Sequence, residues 1–501
     1  MYWLGIDVGT GGTRALLLNA EGRVRASFTA PHEEMRMERP LWAEQRPEDW
    51  WSAAQIAIRG VLAEAGATGA NVKGIGLSGQ MHGLTLLDEH DAVVRPALIW
   101  CDQRSQPQVD AINAQAGRDM VLRCTANPML TGFTLPKLLW VRDHEPANFA
   151  RVRRVMLPKD YVRFGLTGEY ASDVSDASGT GFFDVVRRAW SFELLEKLGV
   201  DRAILPRCLE SSEVSGVVSK LAAEATGLSV GTPVVAGAGD QAASAVGNGI
   251  VRAGIVSCTI GTSGVVFAHM DHPSYDPTGR VHTFCHAVPG TWHVMGVTQG
   301  AGLSLQWYRD RLAPASSYAE LTEAAAASPV GAQGLFWLPY LMGERTPHLD
   351  ATARGGWIGL TAKHQAADLI RALIEGVSYS QMDCLEIIEG MGVPVDSVRI
   401  SGGGARSAFW RQMLADVFNK KTVVLESEEG SAYGAALLAM VGTGQFASAA
   451  EASSAVIREA DSSVPQTGTV EFYRKAHKIF QGLYLKLKPF YDEVAGMDAN
   501  P

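Results

Sequence analysis

Apolar positions recur along this chain with two periods, and the two alternate from one end to the other. Short runs at 2–8 and 15–18 read as buried strands, and 24–28 can extend the same sheet. Residues 45–65 switch to helical spacing, with Pro47 near the start and Trp50, Trp51, Ala54 and Ile58 near one face. Residues 72–77 and 84–87 return to strand. The second half repeats the plan with a hairpin at 256–268, strands near 281–286 and 292–297, and a helix from about 302 to 312. A long helix at 368–391, a strand at 397–400 and a helix from about 407 to 418 follow. Past residue 445 an Ala- and Ser-rich stretch leads to a helix near 470–491, which reads as packing or as a homodimer contact. Strands and helices in alternation predict an α/β fold.

Composition narrows the class. A chain of 501 residues exceeds one hydrophobic core, so about two to four domains are expected from length alone. A net charge of −9 argues against a nucleic-acid partner, and the basic stretch 151–154 reads as a solvated surface turn. No apolar run is long enough to cross a bilayer, and no leader pattern precedes the first strand, so no membrane partner is expected. Six scattered cysteines without a Cys-x-x-Cys spacing disfavour a zinc site and a disulfide scaffold. Reduced thiols in a cytoplasmic protein are the expectation.

One loop is spelled twice. Asp7-Val8-Gly9-Thr10-Gly11-Gly12-Thr13-Arg14 and Ile260-Gly261-Thr262-Ser263-Gly264 both sit between strands. Glycines let the backbone turn sharply, so that successive N–H groups point at one anion. A P-loop string is absent, the residues after Gly12 read as a strand rather than a helix, and no His-Arg-Asp loop occurs. What remains is a hairpin cradle for a polyphosphate. Backbone amides and the Thr10 and Thr262 hydroxyls would be its donors, Arg14 an added cation, and Asp7 a ligand for Mg²⁺ through water. Each loop alone could be a plain tight hairpin, and the aspartate a cap. The pairing, joined by Gly402-Gly403-Gly404 after a later strand, favours the nucleotide. The repeat predicts two related domains, 1–246 and 247–501, with a hinge of small residues near 243–254.

Asp240 is the candidate base: a strand-like run delivers one carboxylate among glycines just before the second domain. It could equally cap the Ala-rich helix that follows. Gln241 offers a donor and an acceptor to a polyol hydroxyl, and Asp240 is a second candidate ligand for the metal. His82, in Gln80-Met81-His82-Gly83, lies at a strand end, where open α/β sheets bind ligands. In Trp100-Cys101-Asp102-Gln103-Arg104, Asp102 and Arg104 either bind substrate or form an internal ion pair.

These residues resemble the FGGY family of carbohydrate kinases, and within it the xylulokinase branch. The resemblance runs from the first strand to about residue 440. It is carried by 132–144 (Gly132-Phe133-Thr134 to Asp143-His144) and by Gly355-Gly356-Trp357-Ile358-Gly359-Leu360 continued through 368–375. The resemblance implies two actin-like, ribonuclease-H-like domains flanking a deep catalytic cleft, with sugar on the N-terminal side and ATP on the C-terminal side. It makes Asp240 the general base and Thr10, Gly11, Gly12 and Arg14 the first phosphate loop. Gly261 and Thr262 form the second loop. Gly302, Gln306, Gly403, Gly404 and Ser407 become further nucleotide contacts, and Gln80, Met81, His82, Asp102, Asp240 and Gln241 the sugar side. The implied reaction is ATP- and Mg²⁺-dependent phosphorylation of a ketopentose, D-xylulose first. D-ribulose, L-xylulose or a sugar alcohol are alternatives, and a sugar sensor or actin-like ATPase is a more distant one. Two departures bear on the sugar: Gln241 and Cys101 stand where xylulokinases commonly carry Asn. Gly11 replaces a frequent Ser and keeps the tight turn.

Overall fold

The structure, a computed structural model, describes residues 1–426 and 430–498. Three antiparallel strands open the chain: β1 (Tyr2–Val8), β2 (Gly12–Leu18) and β3 (Val24–Pro31). Helix α1 (Pro47–Ala65) then returns the chain to β4 (Val72–Gly79), which pairs parallel to β1. Strands β5 (Val214–Val217) and β6 (Pro233–Val235) complete the order β5-β6-β4-β1-β2-β3. The two-residue β7 (Ala238–Gly239) lies parallel to the end of β4. Gln45, expected at the head of α1, is instead in a short strand, because Pro47 opens the helix and Gly66 closes it in the left-handed region.

The second sheet repeats this arrangement. Its strands are β8 (Gly254–Ile260), β9 (Gly264–Met270), β10 (His282–Cys285), β11 (Trp292–Thr298), β12 (Val395–Gly402), β13 (Lys421–Leu425) and β14 (Glu459–Ser463), in the order β10-β11-β9-β8-β12-β13-β14. As in the first sheet, the leading hairpin strand β8 pairs antiparallel with its partner β9 and parallel with the later β12. Both Gly-rich turns of this half therefore leave the same ends of neighbouring parallel strands.

The remaining helices used below are α2 (Asp240–Gly247), α3 (Gly302–Leu312), α4 (Tyr318–Ala327), α5 (Ala366–Gly390), α6 (Ala408–Phe418), α7 (Gly430–Gly442) and α8 (Thr467–Asp498). Of the stretch expected to hold the hinge, 243–254, residues 243–247 are helical. There the small residues serve close packing. A Cβ on Gly434 of α7 would stand 1.8 Å from the Ala243 carbonyl oxygen, so α2 and α7 touch backbone to backbone. On the sheet side, Cβ atoms on Gly5 or Gly76 would stand 1.9 Å from carbonyl oxygens of Ala432 and Ala435. Thus α7, from the second half of the sequence, covers the first sheet.

Where the halves meet, Leu84, Phe133 and Phe182 share one core with Phe267, Phe284 and Met295. Histidines are built into this zone: His82 lies 5.1 Å from Phe133, and His293 stacks on Phe267 at 4.4 Å. Burial lowers the pKa of His82, His282 and His293 to about 3, and that of His286 well below its usual value. Above pH 6.5 these rings are neutral folded and unfolded. Below it the unfolded chain takes up protons the folded chain refuses, so stability falls from pH 6.5 toward 3. The expected loss is about 1 kcal/mol per histidine per pH unit. Urea titrations from pH 7 to 5 should show it, and His293→Phe should flatten the slope; a slope unchanged by that substitution would refute the account.

Candidate active site

Three loops leave the carboxyl ends of three adjacent parallel strands, where ligands of α/β sheets bind. The turn at 9–12 follows β1, Gln80 to Gly83 follows β4, and Asp240 follows β7. Asp7 of β1, Ser78 of β4 and Ala238 of β7 share one row across the strands. Asp240 stands two residues past that row, as the first residue of α2. It is not the cap: Gly239 holds that position, and Asp240 Oδ1 accepts from the Gln241 backbone N–H at 2.7 Å. Burial and the charge of Asp7 push the Asp240 pKa up to about 7. Burial also raises the Asp7 carboxyl, which Ser78 and Arg14 offset only in part. Asp7 Oδ1 is buried and has no hydrogen-bond partner among the described residues. Two carboxyls that repel each other, one with an unused oxygen, suit a divalent cation.

The sugar-loop residues divide by role. His82 sits in the left-handed region at φ 69°, which any side chain but glycine adopts at a cost. The conformation is held from below: Lys137 Nζ and Thr134 Oγ1 donate to the His82 carbonyl at 3.0 and 3.1 Å. Burial lowers the Lys137 pKa to about 7. Both supports come from the 132–144 signature, whose task was invisible in the sequence because it acts through a backbone oxygen 55 residues away. His82 Nδ1 donates to the Gly179 carbonyl at 2.6 Å, which leaves Nε2 of the neutral ring as an acceptor. Gly179 is obligatory here, since a Cβ would stand 2.6 Å from the imidazole. Met81 is buried against Gly239 and Gly179.

Gln80 and Asp102, expected on the sugar side, are both engaged within the chain. Gln80 is buried and its amide is used inside the chain: Nε2 donates to Gln45 Oε1 at 2.9 Å, and Oε1 accepts from Thr10 Oγ1 at 3.4 Å. Gln45 in turn donates to the Thr10 carbonyl at 2.7 Å. The pair ties the sugar loop to the first phosphate loop. Asp102 is fully buried, and the internal ion pair is what forms. Its Oδ2 accepts from Arg104 Nη2 and the Ala43 N–H, both at 2.7 Å, while Arg104 lies 3.7 Å over the Trp42 ring and reaches Glu44 at 2.8 Å. None of the three sequence-distant partners, Trp42, Ala43 and Glu44, was foreseeable from the motif.

The phosphate loops leave room for a ligand. A Cβ on Gly11 would meet nothing within 4 Å, and one on Gly261 or Gly403 nothing nearer than 3.5 Å. Gly12, by contrast, is required by its neighbour, the Ala30 carbonyl of β3, at 2.7 Å. Trp100 Nε1 donates to Thr10 Oγ1 at 3.0 Å. Arg14 lies opposite Asp7 in the β1–β2 ladder. In the second half, the expected nucleotide residues gather on one cavity of about 800 Å³. Gly261, Thr262, Gly302, Gln306, Gly403, Gly404 and Ser407 all line it. Gly302 opens α3 and donates its N–H to the Gly261 carbonyl at 2.7 Å; a Cβ there would stand 2.4 Å from that oxygen. Ser407 also has a local task, capping α6 through the Trp410 N–H at 3.3 Å.

Two related sheets, a glycine cradle at the mouth of each, and an elevated carboxyl at the strand ends of the first define a two-domain phosphotransferase acting on an alcohol group. The N-terminal domain of the FGGY family of carbohydrate kinases matches residues 2–247 and its C-terminal domain residues 256–443. The chain belongs to that family. It is 40% identical to a xylulose kinase of Escherichia coli K12, over 97% of this chain and 99% of that one. It is 39% identical to a xylulose kinase of Bacillus subtilis 168, over 97% of each chain. The solved structure of a xylulose kinase from Rhodospirillum rubrum superposes with a TM-score of 0.92 at 31% identity, covering 98% of this chain and all of that one.

Proposed function

We propose that this kinase transfers the γ-phosphate of ATP to the terminal hydroxyl of D-xylulose, giving D-xylulose 5-phosphate. The observation that carries the chemistry is Asp240, a carboxyl with a pKa near neutrality at the strand ends that also deliver the Gly11 and His82 loops. Asp240 takes the hydroxyl proton as the alcohol attacks in line. Backbone N–H groups around Gly11 and Gly261 meet the charge that develops on the phosphoryl oxygens. Asp7, through water, and Asp240 would hold Mg²⁺, which when bound neutralises charge on the nucleotide phosphates. His82 Nε2 accepts a hydrogen bond from a sugar hydroxyl, and Gln241 supplies a longer amide than the usual Asn. Closure of the cleft over both substrates excludes water as a competing acceptor.

Identity near 40% with xylulose kinases over nearly the whole chain supports the sugar. A coupled ADP-release assay over D-xylulose, D-ribulose, L-xylulose and xylitol tests it. D-xylulose should give the highest kcat/KM. A higher value for another acceptor would replace the sugar and keep the kinase. ATP turnover unaffected by every acceptor would overturn the kinase reading itself.

A further inference from the structure

Beneath the strand that delivers Asp240 lies a set of charged side chains without solvent access. Lys159, Asp160, Arg163, Asp173 and Asp176 are each 0% exposed. Lys159 Nζ lies 2.7 Å from Asp160 Oδ1, 2.8 Å from Asp173 Oδ1 and 3.3 Å from Asp176 Oδ2. Burial works against the Lys159 charge, but the three carboxyls outweigh it and hold the ammonium protonated. Buried ion clusters of this kind are poor stabilisers, since well-packed apolar side chains often do as well or better. Their value here lies in what they reach. Asp173 Oδ2 accepts from Ser175 Oγ at 2.5 Å, and Ser175 Oγ accepts from the backbone N–H of Gly239 at 3.1 Å. The direction is fixed: a carboxylate takes the hydroxyl proton, so the oxygen lone pairs face Gly239. From the other side Met81 closes on Gly239, where a Cβ would stand 2.9 Å from Met81 Cγ.

We propose that Ser175, oriented by the Asp173–Lys159 pair, is a positioning residue for phosphoryl transfer. Its hydroxyl fixes the Gly239 peptide and so sets where the next side chain, Asp240, meets the acceptor hydroxyl. The inference rests on Asp240 being the base. A built-in control exists, because Ser211 Oγ donates to the same Asp173 Oδ2 at 3.1 Å but its side chain does not bond Gly239.

The test compares Ser175→Ala with Ser211→Ala by single-turnover ADP formation at saturating ATP and D-xylulose, by ATP Kd and by thermal melting. Ser175→Ala should slow the transfer step about 10- to 100-fold, the range expected for a misplaced catalytic group, with the ATP Kd unchanged. Ser211→Ala should lower the melting temperature comparably and keep the wild-type rate. Ser175→Cys, which keeps the shape with a weaker acceptor, should fall between, and it replaces Ser175→Ala if that variant does not fold. Equal slowing in the Ser175 and Ser211 variants, or a wild-type rate in Ser175→Ala or Ser175→Cys, would overturn the proposal. A wild-type enzyme without sugar-dependent ADP formation would instead sink the reading of Asp240 on which it rests.

Discussion

Asp240→Asn should bind ATP as the wild type does and phosphorylate sugar about 1,000-fold more slowly, within the range a general base contributes. The substitution keeps shape and keeps an acceptor for the Gln241 N–H at 2.7 Å, so the loop has no reason to move. It removes the carboxylate that takes the proton at the end of β7. The sign of the stability change separates this from unfolding. The Asp240 pKa is raised from 3.8 to about 7 by burial and by Asp7, so its ionisation costs fold stability as pH rises through that window. The neutral amide avoids that cost, and the variant should melt at or above the wild-type temperature at pH 8. In the wild type, kcat/KM should rise with pH through an acid limb near 7, because that parameter reports the free enzyme's base. Asp240→Asn should lack the limb. Near wild-type turnover, measured alongside calorimetric ATP binding, would remove Asp240 from the chemistry.

What the sequence disclosed and what it withheld follow one physical division. Gly11, Gly261 and Gly403 stood out because glycine at a strand end has few reasons to be there, and close approach to a ligand is one of them, whereas Gly302, which opens α3, came only through the family resemblance. Asp240 was legible for the same reason, as the lone carboxylate in a run of small residues. Residues that act through partners far along the chain were not. Lys137 serves the His82 carbonyl and Gln80 serves Gln45 and Thr10, partners that no local motif names; Asp102 pairs with Arg104, one of the two readings its motif allowed, under a Trp42 ring from a distant segment. The buried Lys159 cluster gave no signal, since alternating charges in a helical stretch usually mark a solvated face. The stretch at 243–254 holds both uses of small residues: a helix packed on α7 as far as Gly247, and beyond it the connection between the two family domains. Small residues that permit motion and small residues that permit contact have the same composition, and only the carbonyl oxygens opposite them decide which is meant.

That last distinction predicts the second large effect. Gly434→Ala should lower the melting temperature by roughly 5–10 °C, the shift expected for about 2–3 kcal/mol of overpacking in a domain of this size. It should also slow catalysis. The added Cβ would stand 1.8 Å from the Ala243 carbonyl oxygen and 2.9 Å from the Gly247 nitrogen, both backbone atoms of α2 that no rotamer change can move. Helix α7 cannot simply lift away, because it is seated on the first sheet at Gly5 and Gly76. The strain therefore passes into α2, whose first residue is Asp240, and the base shifts with it. Gly482→Ala provides the contrast. That glycine lies inside α8 with nothing within 4 Å of an added Cβ, so the same substitution should stabilise the protein by up to about 1 kcal/mol through helix propensity and leave turnover alone. If Gly434→Ala melted and turned over like the wild type, α2 and α7 would not be in backbone contact, and the coupling of their packing to Asp240 would fail.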